Sequence, residues 1–286
     1  MMSAVARAWF ARPLAELARL VVLPLVLALV APAHAQSGAP PELGQPPSLR
    51  QAPPVPSTYE GLFAERDERA RAVIGFTGCM QQTVTATRSG ALGAASPSWS
   101  VACIQQGREW RGLLVELKKD DAVVVHRQLA LRGAGVVVRE PLDTAAAGTI
   151  ARAMRRGLSA PLPGRGVADF TPVALVQKGY SEIWFLPASD ASSRIVLGGD
   201  SLIQMTDDGT RELGHAKFTP RIRVLPAPAP GTASLLIPSR EDRLPLVSEI
   251  VAARLALPRV AEVRIRTAQY DAVLSRATGK WTHTAR

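Results

Sequence analysis

The sequence is poor in the side chains that bind metals or serve nucleophilic catalysis. Its 286 residues include only two cysteines, four histidines and no asparagine. The histidines show no paired ligand spacing, so a zinc site built from cysteine and histidine is not expected. A phosphate-cradling glycine loop and a dinucleotide-binding fingerprint are also missing. We therefore predict no metal and no bound cofactor.

Long apolar runs are scarce as well. The longest, Leu20 to Val30, follows three arginines between positions 7 and 19 and precedes Ala33-His34-Ala35. A charged leader, a short apolar core and a small-residue cleavage site are the three parts of a secretory signal. Because about 20 apolar residues are needed to cross a bilayer, an uncleaved anchor helix is the weaker alternative. We expect residues 1–35 to be a signal peptide, with no transmembrane segment after cleavage and general secretion to the periplasm or the extracellular space.

The positive charge bears on the kind of partner. The chain carries a formal charge of +10, and loss of three arginines and one glutamate with residues 1–35 leaves +8. The arginines are spread along the chain rather than gathered into a patch, so we read them mostly as a solvated surface. Nucleic-acid binding is not expected. An envelope protein or an anionic envelope surface is the predicted partner.

Composition also divides the chain. Residues 36–57 begin QSGAPPELGQPPSLRQAPPVP, a stretch of proline, glycine and polar residues that can bury almost nothing. We expect a disordered linker there. Residues 58–286 form the predicted folded region. The Pro/Gly stretch at 160–166 marks either an internal boundary near 158–168 or a long surface loop.

Hydrophobic periodicity predicts an α+β fold for residues 58–286, with a mainly antiparallel sheet built of hairpins and two or three packed helices. The first helix runs from Thr58 to near Gly75, the second covers 144–156 after an Asp143 cap, and the third opens at Asp242. Strands are predicted at 79–87, 99–103, 110–117, 122–131, 136–139, 172–177, 182–187, 195–205, 210–217, 233–237 (short and buried), 261–267, 269–275 and 281–284.

Cys79 and Cys103 both follow the predicted cleavage site, and an oxidising compartment lets such thiols pair. They fall on two predicted extended segments joined by a Gly/Ala/Ser loop, so we expect a disulfide. On the chain-entropy model, a closed loop of about 25 residues stabilises the fold by ~3 kcal/mol.

The stretch 179–218 has the densest strand signals. Asp207-Asp208-Gly209 predicts a hairpin turn. Ahead of it, Gly199-Asp200-Ser201-Leu202 follows the apolar Ile195-Val-Leu197 and resembles the nucleophile block of the GDSL or SGNH esterase-lipase family. The resemblance implies that Ser201 attacks an acyl carbonyl while a histidine removes its proton and glycine and asparagine groups stabilise the oxyanion.

The chain departs from that family in three respects. The block lies past the middle of the chain, no asparagine is present, and the late His283 follows Lys280 where the family has an aspartate. Gly198 and Gly199 instead favour a bend or bulge in a central strand. We therefore expect a non-enzymatic binding or envelope-associated accessory protein. A serine hydrolase using Ser201 is the alternative.

Overall fold

Three helices and a series of hairpins build the described part of the chain, which confirms the predicted α+β class. This computed structural model describes residues 54–90, 96, 98–106, 109–119, 122–132, 135–138, 144–159, 170–187, 194–218 and 221–286. All of them belong to one unit that spans 51–286. The predicted signal peptide, most of the predicted linker, the Asp143 cap and the stretch 160–166 lie outside the described residues.

The helices are α1 (Ser57–Arg88), α2 (Thr144–Ser159) and α3 (Val247–Ala256), and a 3-10 turn at Leu257–Arg259 follows α3. The strands are β1 (Ser100–Gln106), β2 (Glu109–Leu117), β3 (Val123–Arg132), β4 (Gly135–Val138), β5 (Phe170–Gln177), β6 (Tyr180–Pro187), β7 (Arg194–Leu197), β8 (Ser201–Thr206), β9 (Glu212–Lys217), β10 (Arg223–Pro226), β11 (Thr232–Pro238), β12 (Val260–Arg266), β13 (Tyr270–Ser275) and β14 (Trp281–Ala285).

Helix α1 is far longer than predicted. The sequence suggested an end near Gly75 and a strand over 79–87, but the helix continues for 32 residues. Gly75 lies inside the helix, and a glycine is needed there because a larger side chain would not fit. A Cβ at this position would lie 2.0 Å from Nε1 of Trp110. The threonines that suggested a strand stay helical with their hydroxyls bonded one turn back, as Thr83 Oγ1 donates to the Cys79 carbonyl at 2.8 Å.

Cys79 and Cys103 are joined as the sequence suggested, but between different elements. Their sulfur atoms are 1.94 Å apart and their Cα atoms 6.2 Å apart. Cys79 lies on α1 rather than on a strand, and Cys103 lies on β1, so the bridge fastens the long helix to the first sheet. Both residues are buried.

Strands β1 to β4 form an antiparallel meander in chain order, and the predicted hairpin joins β2 to β3. Helix α2 packs on this sheet through Ala147 and Ile150, which share a buried cluster with Leu113 and Val115. The predicted end of α2 at Gly157 is wrong, since the helix runs on to Ser159.

The second sheet has the order β5-β6-β8-β9 and is antiparallel throughout. The single strand predicted over 195–205 is in fact two strands in two sheets, because β7 pairs with β10. Gly198 and Gly199 separate them with φ values of 81° and 76°, a backbone region that only glycine adopts without strain.

The predicted hairpin turn joins β8 to β9. Gly209 has a φ of 71°, and Asp208 Oδ1 accepts hydrogen bonds from the Thr206 hydroxyl at 2.6 Å and the Thr210 N–H at 2.9 Å. These bonds lower the pKa of Asp208 to about 2. The turn therefore accounts for this aspartate without a catalytic role.

The last sheet has the order β11-β12-β13-β14. Strand β11 runs parallel to β12 because α3 provides the crossover that a parallel pair requires. The prediction that this strand is buried is largely wrong: Ile237 is buried, but Leu236 is 46% exposed. Strands β12 to β14 are antiparallel, as predicted.

Helix α3 begins later than predicted. Asp242 is not its cap, since Leu246 occupies the N-cap position and Pro245 precedes it. The Leu246 N–H donates to Glu249 Oε2 at 3.0 Å. The Ser248 N–H, a first-turn donor of the kind that an aspartate cap accepts from, donates instead to Asp200 Oδ2 at 2.9 Å.

The largest buried cluster joins α1, α3, the second sheet and the last sheet. It includes Phe63 and Phe76 of α1, Trp184 of β6, Ile250 of α3 and Val263 of β12. Burial of such side chains stabilises the fold by about 1.5–3 kcal/mol each. Because these elements meet in one core, α1 is held beside β6 and the start of α3.

Candidate functional site

Ser201 opens β8 directly after the two-glycine bend. Its Oγ shares a hydrogen bond with His215 Nε2 at 2.7 Å. The register explains this contact, because His215 is opposite Ile203 on β9 and thus on the same sheet face as Ser201. The structure therefore places a histidine beside Ser201, but it is His215 and not the late His283.

The surroundings of Ser201 lack the other parts of a serine hydrolase site. Ser201 is 0% exposed. Its Oγ also donates to the Ala216 carbonyl at 3.3 Å. Among the described residues, no carboxylate hydrogen-bonds to His215, so the third member of a triad is not seen there. His283 packs against Phe63, with ring centroids 4.4 Å apart.

The opposite face of the same sheet borders a cleft. Leu202 and Gln204 alternate with Ser201 and Ile203 along β8, so they point to the other side. The cleft has a volume of about 190 Å³. Its lining comes from α1, β6, β8 and its flanks, and the start of α3: Arg66, Arg69, Glu182, Trp184, Asp200, Leu202, Gln204, Phe218, Leu246 and Val247. Asp200 and Ser201 are thus neighbours in sequence that serve different sides of the sheet.

Asp200 is the most unusual group in the cleft. It is 1% exposed, and its Oδ2 accepts a hydrogen bond from the Ser248 N–H at 2.9 Å. Its Oδ1 is buried and has no hydrogen-bond partner among the described residues. Burial raises the pKa of Asp200 to about 6, against the opposing effect of the Ser248 hydrogen bonds. A half-satisfied buried carboxyl of this kind is costly to fold and typical of functional sites.

The two-glycine bend is what carries Asp200 into the cleft. A Cβ on Gly199 would lie 3.1 Å from Phe170 Cζ and 3.2 Å from Ile222 Cγ1, so the turn is closely packed as well as left-handed. The Gly198 N–H faces the Ser248 hydroxyl at 3.4 Å. Because both glycines are needed for the bend, the Gly-Gly-Asp sequence is explained by the placement of Asp200.

Arg66 of α1 borders the cleft on the helix side. Its Nη1 donates to the Leu244 and Pro245 carbonyls ahead of α3. Burial lowers the pKa of Arg66, and the charges of Glu241 and Asp200 oppose that effect. The guanidinium ties the segment before α3 to α1.

The neighbouring wall consists of a fixed polar group and two stacked aromatic rings. Arg69 Nε donates to Glu182 Oε2 at 3.3 Å, and the Trp184 indole donates to the same oxygen at 2.8 Å. The Trp184 and Phe218 rings are stacked, with centroids 5.7 Å apart. Phe218 is 38% exposed. This wall offers an apolar surface with its charges already paired.

Asp67 is a second buried carboxylate, and its contacts indicate a structural role. It accepts hydrogen bonds from Arg254 Nε at 2.6 Å, Arg71 Nη2 at 2.8 Å and the Trp281 indole at 3.0 Å. Burial alone would raise the pKa of Asp67, but these donors outweigh it and hold the pKa below its usual value. Both carboxylate oxygens are occupied, so Asp67 has no acceptor left for a ligand.

Sequence reasoning singled out Ser201 and gave its neighbour Asp200, one of several carboxylates that could belong to an acid/base pair, no specific role. Arg66 and Asp200, whose roles sequence reasoning missed, are 134 residues apart in the chain but line the same cleft. No local sequence motif identifies either residue. The one available signal was the Gly198-Gly199 pair, which predicts that a ligand or another backbone segment passes close to the chain there.

The described residues hold no group of three or more histidine, cysteine, aspartate or glutamate side chains suited to a metal ion. In that same part of the chain, no helix has the length and apolarity needed to cross a membrane. Comparison with protein-family models, with curated proteins and with solved structures finds no match.

Proposed function

We propose that this chain is an exported, non-enzymatic binding protein that works in the cell envelope and holds a small ligand in the cleft at Asp200. The observation that carries the proposal is the buried, unpartnered Oδ1 of Asp200 at the edge of that cleft. Buried acceptors without a hydrogen-bond partner are uncommon in native folds, and this one belongs to a residue that lines the cleft. The apolar wall formed by Trp184 and Phe218 supplies a complementary surface.

Export is supported by the signal-like pattern of residues 1–35 and by the disulfide, which persists in an oxidising compartment. The net positive charge favours work near an anionic envelope surface. Sedimentation of the mature protein with anionic vesicles tests the charge-based part. Association that weakens steeply with salt supports it, and absent or salt-insensitive association contradicts it.

Ligand binding is tested by thermal unfolding of the purified protein in the presence of a chemically mixed panel of small metabolites. A ligand at 100 times its Kd stabilises the folded state by about 2.7 kcal/mol. We expect at least one compound to raise the Tm of the native protein.

The location of binding is tested with Gln204→Trp, which fills the cleft from an exposed strand position. Thr282→Trp is the matched control on an exposed position of the last sheet. We expect the ligand effect to survive in the control and vanish in Gln204→Trp. A panel without any stabilising compound, or stabilisation that Gln204→Trp leaves intact, contradicts the proposed function.

A serine hydrolase is the second candidate because Ser201 Oγ and His215 Nε2 lie 2.7 Å apart. The position of the cleft on the other sheet face favours binding over hydrolysis. Hydrolysis of short acyl esters by the mature protein, compared with Ser201→Ala, separates the two. Activity that disappears in Ser201→Ala would replace the binding proposal with the hydrolase.

A further inference from the structure

Four buried carboxylates occur among the described residues, and three of them have a cationic partner. Asp67 is paired with Arg254, Glu182 with Arg69 and Glu249 with Arg223. Asp200 is the exception, because no described arginine, lysine or histidine forms an ion pair with it. Since a buried carboxyl without a partner destabilises a fold, its environment has to be explained.

An unpaired positive charge lies on the other side of the same cleft. Arg66 forms no ion pair with a described carboxylate, and its recorded hydrogen bonds use only Nη1, toward two backbone carbonyls. Arg66 and Asp200 both line the cleft, and their charges influence each other. They form no ion pair with each other, so two opposite charges line the same cleft without neutralising each other directly, although the charge of Glu241 also acts on Arg66.

We propose that the cleft binds a zwitterionic α-amino acid with an apolar side chain, whose ammonium group pairs with the Asp200 carboxylate at the cleft wall and whose carboxylate accepts from Arg66. This inference rests on the proposed function and names the ligand class for that site. Such a ligand carries both charges on adjacent atoms and compensates both protein groups at once. Charge-assisted hydrogen bonds of this kind are stronger than neutral ones.

The remaining walls suit the rest of such a molecule. Trp184, Leu202 and Phe218 form an apolar side, with the Trp184 ring fixed by its hydrogen bond to Glu182. The volume of about 190 Å³ suits a single small molecule rather than a folded partner. The tight turn at Gly199 holds Asp200 in place before a ligand arrives, which lowers the entropy lost on binding.

Ligands with one charge fit less well. A simple amine would satisfy Asp200 but would meet the positive Arg66, and a simple carboxylate would satisfy Arg66 but would meet the negative Asp200. A divalent metal ion lacks ligands, since no group of three suitable side chains is found in the described residues. The zwitterion alone matches both signs.

Binding should depend on pH through Asp200. The groups that face it are Arg66 from α1, Ser248 and Glu249 from α3, and Glu182 across the cleft. Glu249 is already held by Arg223 and Glu182 by Arg69, so neither competes for the ligand. As the pH falls from 7 to 5, Asp200 gains a proton and no longer attracts an ammonium group. We expect affinity to weaken over that range.

The test is calorimetric titration of the full chain at pH 7 with L-leucine and L-phenylalanine, together with N-acetyl-L-leucine and L-leucinamide. The acetyl derivative lacks the ammonium charge and the amide lacks the carboxylate. We expect at least one free amino acid to bind and both derivatives to bind at least tenfold more weakly. Asp200→Asn should weaken the free amino acid at least tenfold, whereas Asp242→Asn, on an exposed aspartate outside the cleft, should not.

Two outcomes overturn the inference in different ways. If a free amino acid and either derivative bind equally well, the ligand need not be a zwitterion and the inference is wrong. The proposed function still stands in that case, provided that Gln204→Trp abolishes the binding. Absence of binding by both free amino acids at millimolar concentration also overturns the inference. In that case the metabolite panel with Gln204→Trp decides separately whether the cleft binds any ligand.

Discussion

Asp200 should make the protein less stable at neutral pH than a neutral residue in its place would. Its folded-state pKa is raised from 3.8 to about 6 by burial, so between these two pH values the folded state holds a proton that the unfolded state has released. A raised pKa stabilises the fold fully below about pH 3.8, and that contribution is lost as the pH rises through about 6. At about 1.4 kcal/mol for each pH unit, ionisation of Asp200 destabilises the fold by about 3 kcal/mol at pH 7.

Asp200→Asn removes this titration while keeping an oxygen that can accept from the Ser248 N–H. We expect the variant and the native protein to have similar unfolding free energies near pH 4. At pH 7 the variant should be more stable by up to about 3 kcal/mol, or about 6–12 °C in Tm for a folded region of this size. Denaturant unfolding at pH 4, 5, 6 and 7 with the disulfide intact measures the difference.

Asp242→Asn serves as the control because it makes the same substitution at an exposed aspartate outside the cleft. The other titrating groups are common to both proteins and cancel in the comparison. A stability difference for Asp200→Asn that stays constant between pH 4 and 7 would refute the reasoning. Greater stability of the native protein at pH 7 would refute it as well.

Three further predictions concern the fold. Gly75→Ala should destabilise the fold by about 1–3 kcal/mol because the new Cβ would overlap the Trp110 indole. Gly78→Ala, with open space around its Cβ, should stabilise the fold by about 0.5–1 kcal/mol. Thermal unfolding of the two variants checks this difference. Burial lowers the pKa of His283. The stability of the fold should therefore fall as the pH drops below about 6.5, where the unfolded histidine gains a proton. His283→Phe should flatten that part of a Tm-against-pH curve. Replacement of both Cys79 and Cys103 by alanine should lower the unfolding free energy, measured in denaturant, by ~3 kcal/mol. An unchanged value would contradict the idea that the disulfide stabilises the fold by restricting the unfolded chain.

The strands were largely predictable because their signals are local. The hairpins from β1 to β3 and from β12 to β14 follow alternating or β-branched runs bounded by turn residues, and the structure has them close to the predicted positions. The long helix was not predictable in the same way. Gly75 reads as a helix end from the sequence, and only the tertiary contact with Trp110 shows why a glycine is needed inside the helix.

In the stretch 195–205 the predicted bend was right, but the predicted single strand was wrong. The two glycines predicted a bend, and a bend is present. Sequence reasoning still kept one strand through it, whereas β7 and β8 belong to different sheets. Sheet membership depends on which distant strand each half meets, and β7 meets β10, which no local pattern specifies.

The candidate site was the least predictable part. Its two unpaired charges come from Arg66 on the first helix and Asp200 after the bend, and a charged helix face reads as solvated surface from the sequence. The tetrapeptide drew attention to Ser201, which lies on the other face of the sheet, next to His215. The neighbouring Asp200 was the residue with a chemical role to explain, and only the packing of α1 and α3 around it shows this.

The central claim is that the cleft at Asp200 receives a ligand, and the indole N–H signals of the folded protein test it most directly. Trp184 lies in the cleft wall. The other tryptophans of the folded region lie elsewhere: Trp110 and Trp281 against α1, and Trp99 stacked on His126. Titration with L-leucine or L-phenylalanine at pH 7 should shift the Trp184 signal and leave those three in place. The shift should be lost in Asp200→Asn. A Trp184 signal that stays fixed while the protein binds the amino acid would contradict the account.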